Sequence, residues 1–111
     1  MGRVWGAVVL VTLLTAGSAS AQQSAVARGQ DVYAAQKCSI CHSIEGKGNQ
    51  KGPLDSAGSK LSADDIRTWI VSAPEMAAKT KASRKPVMKS YTLPKEDLDA
   101  LVVYLQSLKK S

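Results

Sequence analysis

The chain has 111 residues, with 15 Lys and Arg against 9 Asp and Glu, a formal net charge of +6, five per cent aromatic residues and no Phe. That length excludes a multi-domain architecture and leaves little apolar core, so a staple is expected: a disulfide, a metal or a large apolar cofactor. The basic balance suits attraction to acidic surfaces, and no nucleic-acid recognition motif accompanies it.

The chain opens on a targeting pattern. Arg3 supplies a positive start, residues 4–14 are apolar (Ala7, Val8, Val9, Leu10, Val11, Leu13 and Leu14 among them), and residues 16–21 are small and end in an Ala-x-Ala pattern. This reads as a secretory signal peptide over residues 1–21, cleaved after Ala21. The alternative, a retained membrane anchor, asks for roughly 20 apolar residues, and the run here is about 11. No Cys follows the run to carry a lipid. The expectation is therefore a single domain over residues 22–111, exported to the periplasm, without a membrane anchor and away from nucleic acid.

Three helices are predicted within that domain. In the first, over residues 24–37, Ala25, Val26, Gly29, Val32, Tyr33 and Gln36 recur at three- and four-residue spacing. The second starts at Ser62 as N-cap with Asp65 three residues on, a capping box with the shorter acid, and Leu61 and Ile66 can form its hydrophobic staple. Ile66, Trp69 and Ile70 share one face, and Pro74 is expected to stop the helix. The third begins near Leu93 and Pro94, with Pro tolerated in the first turn. Glu96, Asp97 and Asp99 lie toward its positive dipole end, and Lys109 and Lys110 toward its negative end. Leu98, Leu101, Val102, Leu105 and Leu108 form an apolar stripe. Residues 43–60 and 73–92 are left as long irregular segments. Loops of that length argue against an ordinary core and fit segments that wrap a flat cofactor.

The two cysteines and the one histidine of the chain fall within five residues, Cys38-Ser39-Ile40-Cys41-His42. This is the attachment pattern for c-type haem. Two thiols three residues apart can each add to one vinyl group of the same haem, and the histidine that follows is then held under the iron. Other readings of the motif remain. A structural zinc site asks for four Cys or His ligands. A thiol-disulfide oxidoreductase uses Cys-x-x-Cys in oxidising compartments but accompanies it with a βαβ pattern. A plain structural disulfide is the third. Haem attachment is the reading with which the signal peptide, the loop lengths and the single histidine agree.

On these residues the chain resembles the class I monohaem cytochromes c, over residues 25–108. The resemblance implies an all-α, cytochrome c-like fold. About three main helices and long loops would wrap one covalent haem c, with the N- and C-terminal helices crossing. It implies iron held by His42 and a methionine. Met1 leaves with the signal. Met88, in Lys85-Pro86-Val87-Met88-Lys89-Ser90-Tyr91 just before the last helix, resembles the family ligand, and Met76 is the competitor. Family members often carry Pro directly after that methionine, whereas this chain has Lys89. A histidine–methionine pair would raise the reduction potential.

The resemblance further gives Pro53, in Gly52-Pro53-Leu54, the role of accepting the His42 Nδ1 hydrogen through its carbonyl. Gly29 and Tyr33 would pack against Leu101 and Tyr104. Trp69 is either a partner of a haem propionate or core. Lys79, Lys81, Arg84, Lys85 and Lys89, extended by Lys37 and Lys47, are either a solvated loop or a basic rim that steers docking to acidic redox partners. The implied function is a one-electron carrier cycling between ferric and ferrous iron, not an enzyme, working as a monomer or as a subunit of a redox complex. Its alternatives are a dedicated cytochrome subunit of a dehydrogenase and a gas- or peroxide-reactive haem protein.

Overall fold

A computed structural model describes residues 2–11 and 17–110. Residues 2–11 are exposed and carry no regular secondary structure. The remainder of the expected signal pattern, Met1 and residues 12–16, lies outside the described residues.

From Gly17 onward the order is α1 (Gly17–Ala35), a single 3-10 turn (Cys38–Ile40), β1 (Ser43–Ile44), β2 (Lys47–Gly48), α2 (Ala57–Lys60), α3 (Ala63–Val71), α4 (Ala73–Thr80) and α5 (Lys95–Gln106). The fold is mostly helical, as the sequence implies, but the described residues hold five helices and one small hairpin rather than three helices. The first predicted helix begins earlier, at Gly17, so the bond after Ala21 lies within α1.

The second correction concerns Pro74. Helix α3 ends at Val71, and Pro74 sits in the first turn of a further helix, α4, within the segment read as a loop. A first-turn proline loses no hydrogen bond, because that N–H has no helical partner in any case. Burial of Ala73, Met76 and Ala77 gives α4 its inward face.

The core is built where α1 crosses α5. Gly29 makes the crossing possible: a Cβ there would collide with the Ala100 carbonyl and stand 2.5 Å from Tyr104 Cβ. One turn on, Tyr33 meets Tyr104 edge to face, with ring centroids 6.0 Å apart and planes at 83°. Val32, Leu101, Val102 and Leu105 are buried around them. Arg28 of α1 reaches Asp97 of α5 at 2.8 Å and Glu96 at 3.3 Å.

Helix α3 adds Ile66 and Ile70 to the same core, each 3 % exposed. Its start is as predicted: the Ser62 hydroxyl accepts the Asp65 N–H at 3.1 Å. Leu61 packs against the cluster that contains Ile66, as the staple requires. The chain end folds back on α2 and the loop before it, where Gly58 N–H of α2 donates to the Leu108 carbonyl at 2.8 Å and Lys110 N–H to that of Asp55 at 2.9 Å.

Candidate functional site

Helix α1 delivers the Cys-x-x-Cys-His segment through one sharp turn. Lys37 takes a left-handed conformation, φ 57°, and the chain then coils once over Cys38–Ile40. The Cys38 carbonyl accepts the N–H groups of Cys41 at 3.1 Å and His42 at 2.9 Å. This turn sets Cys38, Cys41 and His42 on the wall of one cavity of about 810 Å³. The other walls are α3 (Ile66, Trp69, Ile70), α5 (Leu101, Leu105), residues 53–61 and the segment around Met88.

The hairpin clamps the motif from outside. Glu45 and Gly46, both at positive φ, make the tight turn that pairs Ser43 with Gly48 and Ile44 with Lys47. Asn49 N–H then donates to the Ser39 carbonyl at 3.1 Å and the His42 carbonyl at 2.9 Å, and its side-chain amide donates to the Ile40 carbonyl at 3.2 Å. Gly48 has φ 107°, and a side chain there would run into the His42 carbonyl. Sequence reasoning missed Gly48 and Asn49. Their signal was the bunching of turn-forming residues directly after His42.

His42 is half-buried and its Nδ1 lies 3.0 Å from the carbonyl oxygen of Gly52. This corrects the expectation that Pro53 would accept. A parallel bridge joins Ser43 to Pro53. In it Ser43 N–H donates to the Gly52 carbonyl at 3.1 Å and Leu54 N–H to the Ser43 carbonyl at 2.9 Å, which brings the Gly52 carbonyl to the histidine. With Nδ1 donating, Nε2 keeps its lone pair for another partner. Burial pushes the His42 pKa below its ordinary value. The Gly52 hydrogen bond acts the other way, and the charge of Arg84 adds to the lowering. The ring is therefore held neutral, the form that ligates metal.

No disulfide joins the two cysteines; Cys38 is half-buried and Cys41 exposed. Burial pushes the Cys38 pKa up. An attacking cysteine of a thiol oxidoreductase shows the opposite, a depressed pKa. Among the described residues no cluster of three or more His, Cys, Asp or Glu is placed to hold a metal, so a zinc site of that kind is not assembled.

Of the two internal methionines, Met88 is half-buried on the cavity wall, while Met76 is 7 % exposed, in the core under α4, and does not line the cavity. Trp69 is half-buried and lines the cavity beside Ile66 and Ile70. The Tyr33 hydroxyl is buried on the same wall without a hydrogen-bond partner among the described residues. Its pKa is pushed up to about 12, chiefly by burial.

Of the basic residues, Lys37, Lys60, Arg84 and Lys89 line the cavity, and Lys81 and Lys85 border an adjoining groove that shares Val87, Met88 and Lys89 with it. Lys79 is exposed nearby, in the last turn of α4, whereas Lys47 lies on the hairpin and lines neither. The Lys89 ammonium sits 5.0 Å from the centre of the Tyr91 ring, a cation–π contact at the mouth. No helix among the described residues is long and apolar enough to cross a membrane.

Comparison with known proteins gave one finding of family. The family model described as Cytochrome c matches residues 26–109, which runs from α1 to the C-terminal tail. Neither the curated proteins nor the solved structures gave a match.

Proposed function

The chain belongs to the cytochrome c family, whose members transfer electrons through covalently bound haem c iron, and we propose that it is a one-electron carrier with a single haem attached through Cys38 and Cys41 and ligated by His42 and Met88. One observation carries this reading: the two thiols, the oriented neutral imidazole and the Met88 thioether all line one predominantly apolar cavity. The sequence has two cysteines and one histidine, enough for one such attachment.

The residues present fit the group. The cavity is large and apolar, and the buried Tyr33 hydroxyl on its wall lacks a partner that a polar-edged cofactor can supply. When bound, the haem supplies the ferric–ferrous couple. The chain does the rest. Cys38 and Cys41 anchor, Gly52 fixes the tautomer and orientation of His42, and the apolar walls keep water out. With His42 and the neutral thioether of Met88 holding the iron, the reduced form would be favoured and the potential raised. Bound to the iron, Met88 would occupy a ligand position that oxygen or peroxide needs, which supports the carrier reading over a gas-reactive one.

The basic residues at the cavity mouth fit docking to acidic redox partners, with association that weakens as salt rises. The proposal includes export to the periplasm, for which the signal pattern over residues 1–21 is the support, with residues 22–111 acting as a monomer or within a redox complex.

The test is the visible spectrum of the mature protein made with haem-attachment machinery, with carbon monoxide added to the reduced form. A sharp low-spin ferrous spectrum unchanged by the gas is expected. Met88→Ala should turn it high-spin and gas-sensitive. Gas binding by the unmodified protein would remove Met88 from the iron and favour a gas-reactive haem protein instead.

A further inference from the structure

Arg84 joins the two sides of the cavity. It stands four residues before Met88, on the same segment, and lines the same cavity as His42. Its guanidinium fills the space beside Gly52: a Cβ at position 52 would collide with Nη1 and stand 2.9 Å from Cζ. Gly52 is not among the glycines at positive φ, which are Gly46 and Gly48. Glycine is needed at 52 for room, and Arg84, together with the Cys41 carbonyl, takes that room. The carbonyl of this same Gly52 receives the His42 Nδ1 hydrogen. Among the described residues no carboxylate pairs with Arg84, so its charge is not cancelled locally.

We infer that Arg84 is a positioning residue for the iron site: it sets a fixed positive charge beside the Gly52–His42 hydrogen bond and so raises the reduction potential of the haem. The inference rests on the haem-carrier reading above. Ferric iron carries one more positive charge than ferrous iron, so a nearby cation at the edge of an apolar cavity disfavours the oxidised form.

The experiment is a spectroelectrochemical titration of the holoprotein and its variants. Arg84→Gln should shift the oxidised-to-reduced equilibrium toward ferric by about tenfold, ~59 mV for a one-electron couple. Arg84→Lys, which keeps the charge, should recover most of that shift. Lys85→Gln removes an equal charge from the rim but not from beside Gly52, and should shift the potential much less. If Arg84→Gln fails to retain haem, Arg84→Met, which keeps length without charge, is read in the same way. A neutral variant that keeps the low-spin spectrum and titrates like the unmodified protein, or no differently from Lys85→Gln, overturns the inference. Absence of covalent haem in the unmodified protein overturns the function proposed above, and is recognised before any potential is read.

Discussion

The α1–α5 crossing and the cavity wall around Met88 are built of similar apolar residues and are held in different ways. At the crossing, side chains of this chain bury one another: Gly29 against Ala100, Tyr33 against Tyr104, and Val32, Leu101, Val102 and Leu105 around them. Along the wall, Val87 is 42 % exposed and Met88 is half-buried, facing the cavity. That segment is tied at its ends, where Ala82 N–H donates to the Ala77 carbonyl at 2.9 Å and Tyr91 N–H to the Ile70 carbonyl at 2.8 Å. Between those ties, no backbone hydrogen bond of residues 83–90 holds the segment to the rest of the described chain. The first region is stabilised by its own packing, whereas the second lacks such ties between its ends, so local stability should differ between them.

Removing the proposed haem anchors should break that comparison most severely. In Cys38→Ala/Cys41→Ala the covalent link is gone, and a ligand that binds only the native state no longer stabilises it. The crossing should keep part of its helical signal in far-ultraviolet circular dichroism. The near-ultraviolet signal of the tyrosines and Trp69 should be largely lost, and with it the cooperative thermal transition. A variant that still melts in one sharp step near the temperature of the holoprotein would show that the wall is self-supporting.

Attacking the other side of the comparison should do the reverse. Gly29→Leu drives a side chain into the Ala100 carbonyl and Tyr104, and overpacking of this kind costs roughly 3 kcal/mol. Since the attachment segment is not touched, the visible spectrum should keep its form while the denaturant midpoint falls. A loss below about 1 kcal/mol would mean that the helices can separate freely, against the tight contact at this position.

The same contrast explains what could be read from the sequence. The Ser62 cap, the α5 stripe and the Cys-x-x-Cys-His segment are local patterns, each complete within a few turns of chain, and the structure contains all three. Helix α4 was not legible, because Pro74 serves equally to end one helix and to begin the next. Only burial of Met76 and Ala77, a tertiary fact, decides between them. The acceptor for His42 was misplaced by one residue, from Gly52 to Pro53, because it is set by the bridge between Ser43 and Pro53, ten positions apart. The early start of α1 lies in a run of Gly, Ser and Ala, which carries no apolar period to mark a boundary.

The smallest expected effect sharpens the comparison from the surface of the helical half. Asp99 on α5 accepts from Arg67 of α3 and from Lys95 one turn earlier, each at 2.7 Å. These two partners, Lys95 first, hold its pKa below the usual carboxylate value. A carboxylate depressed in the folded state adds stability that is present above its unfolded pKa and is lost as pH falls through the folded one. Asp99→Asn should therefore lower the urea midpoint slightly at neutral pH and leave it unchanged in acid below the carboxylate range, where the native side chain is itself uncharged. Exposed pairs are weakened by solvent and salt, so the effect should be smaller than that of Gly29→Leu and should shrink in high salt. The haem spectrum should not move, because Asp99 does not line the cavity. An equal loss at both pH values would assign Asp99 a packing role in joining α3 to α5, and the electrostatic account of that contact would fail.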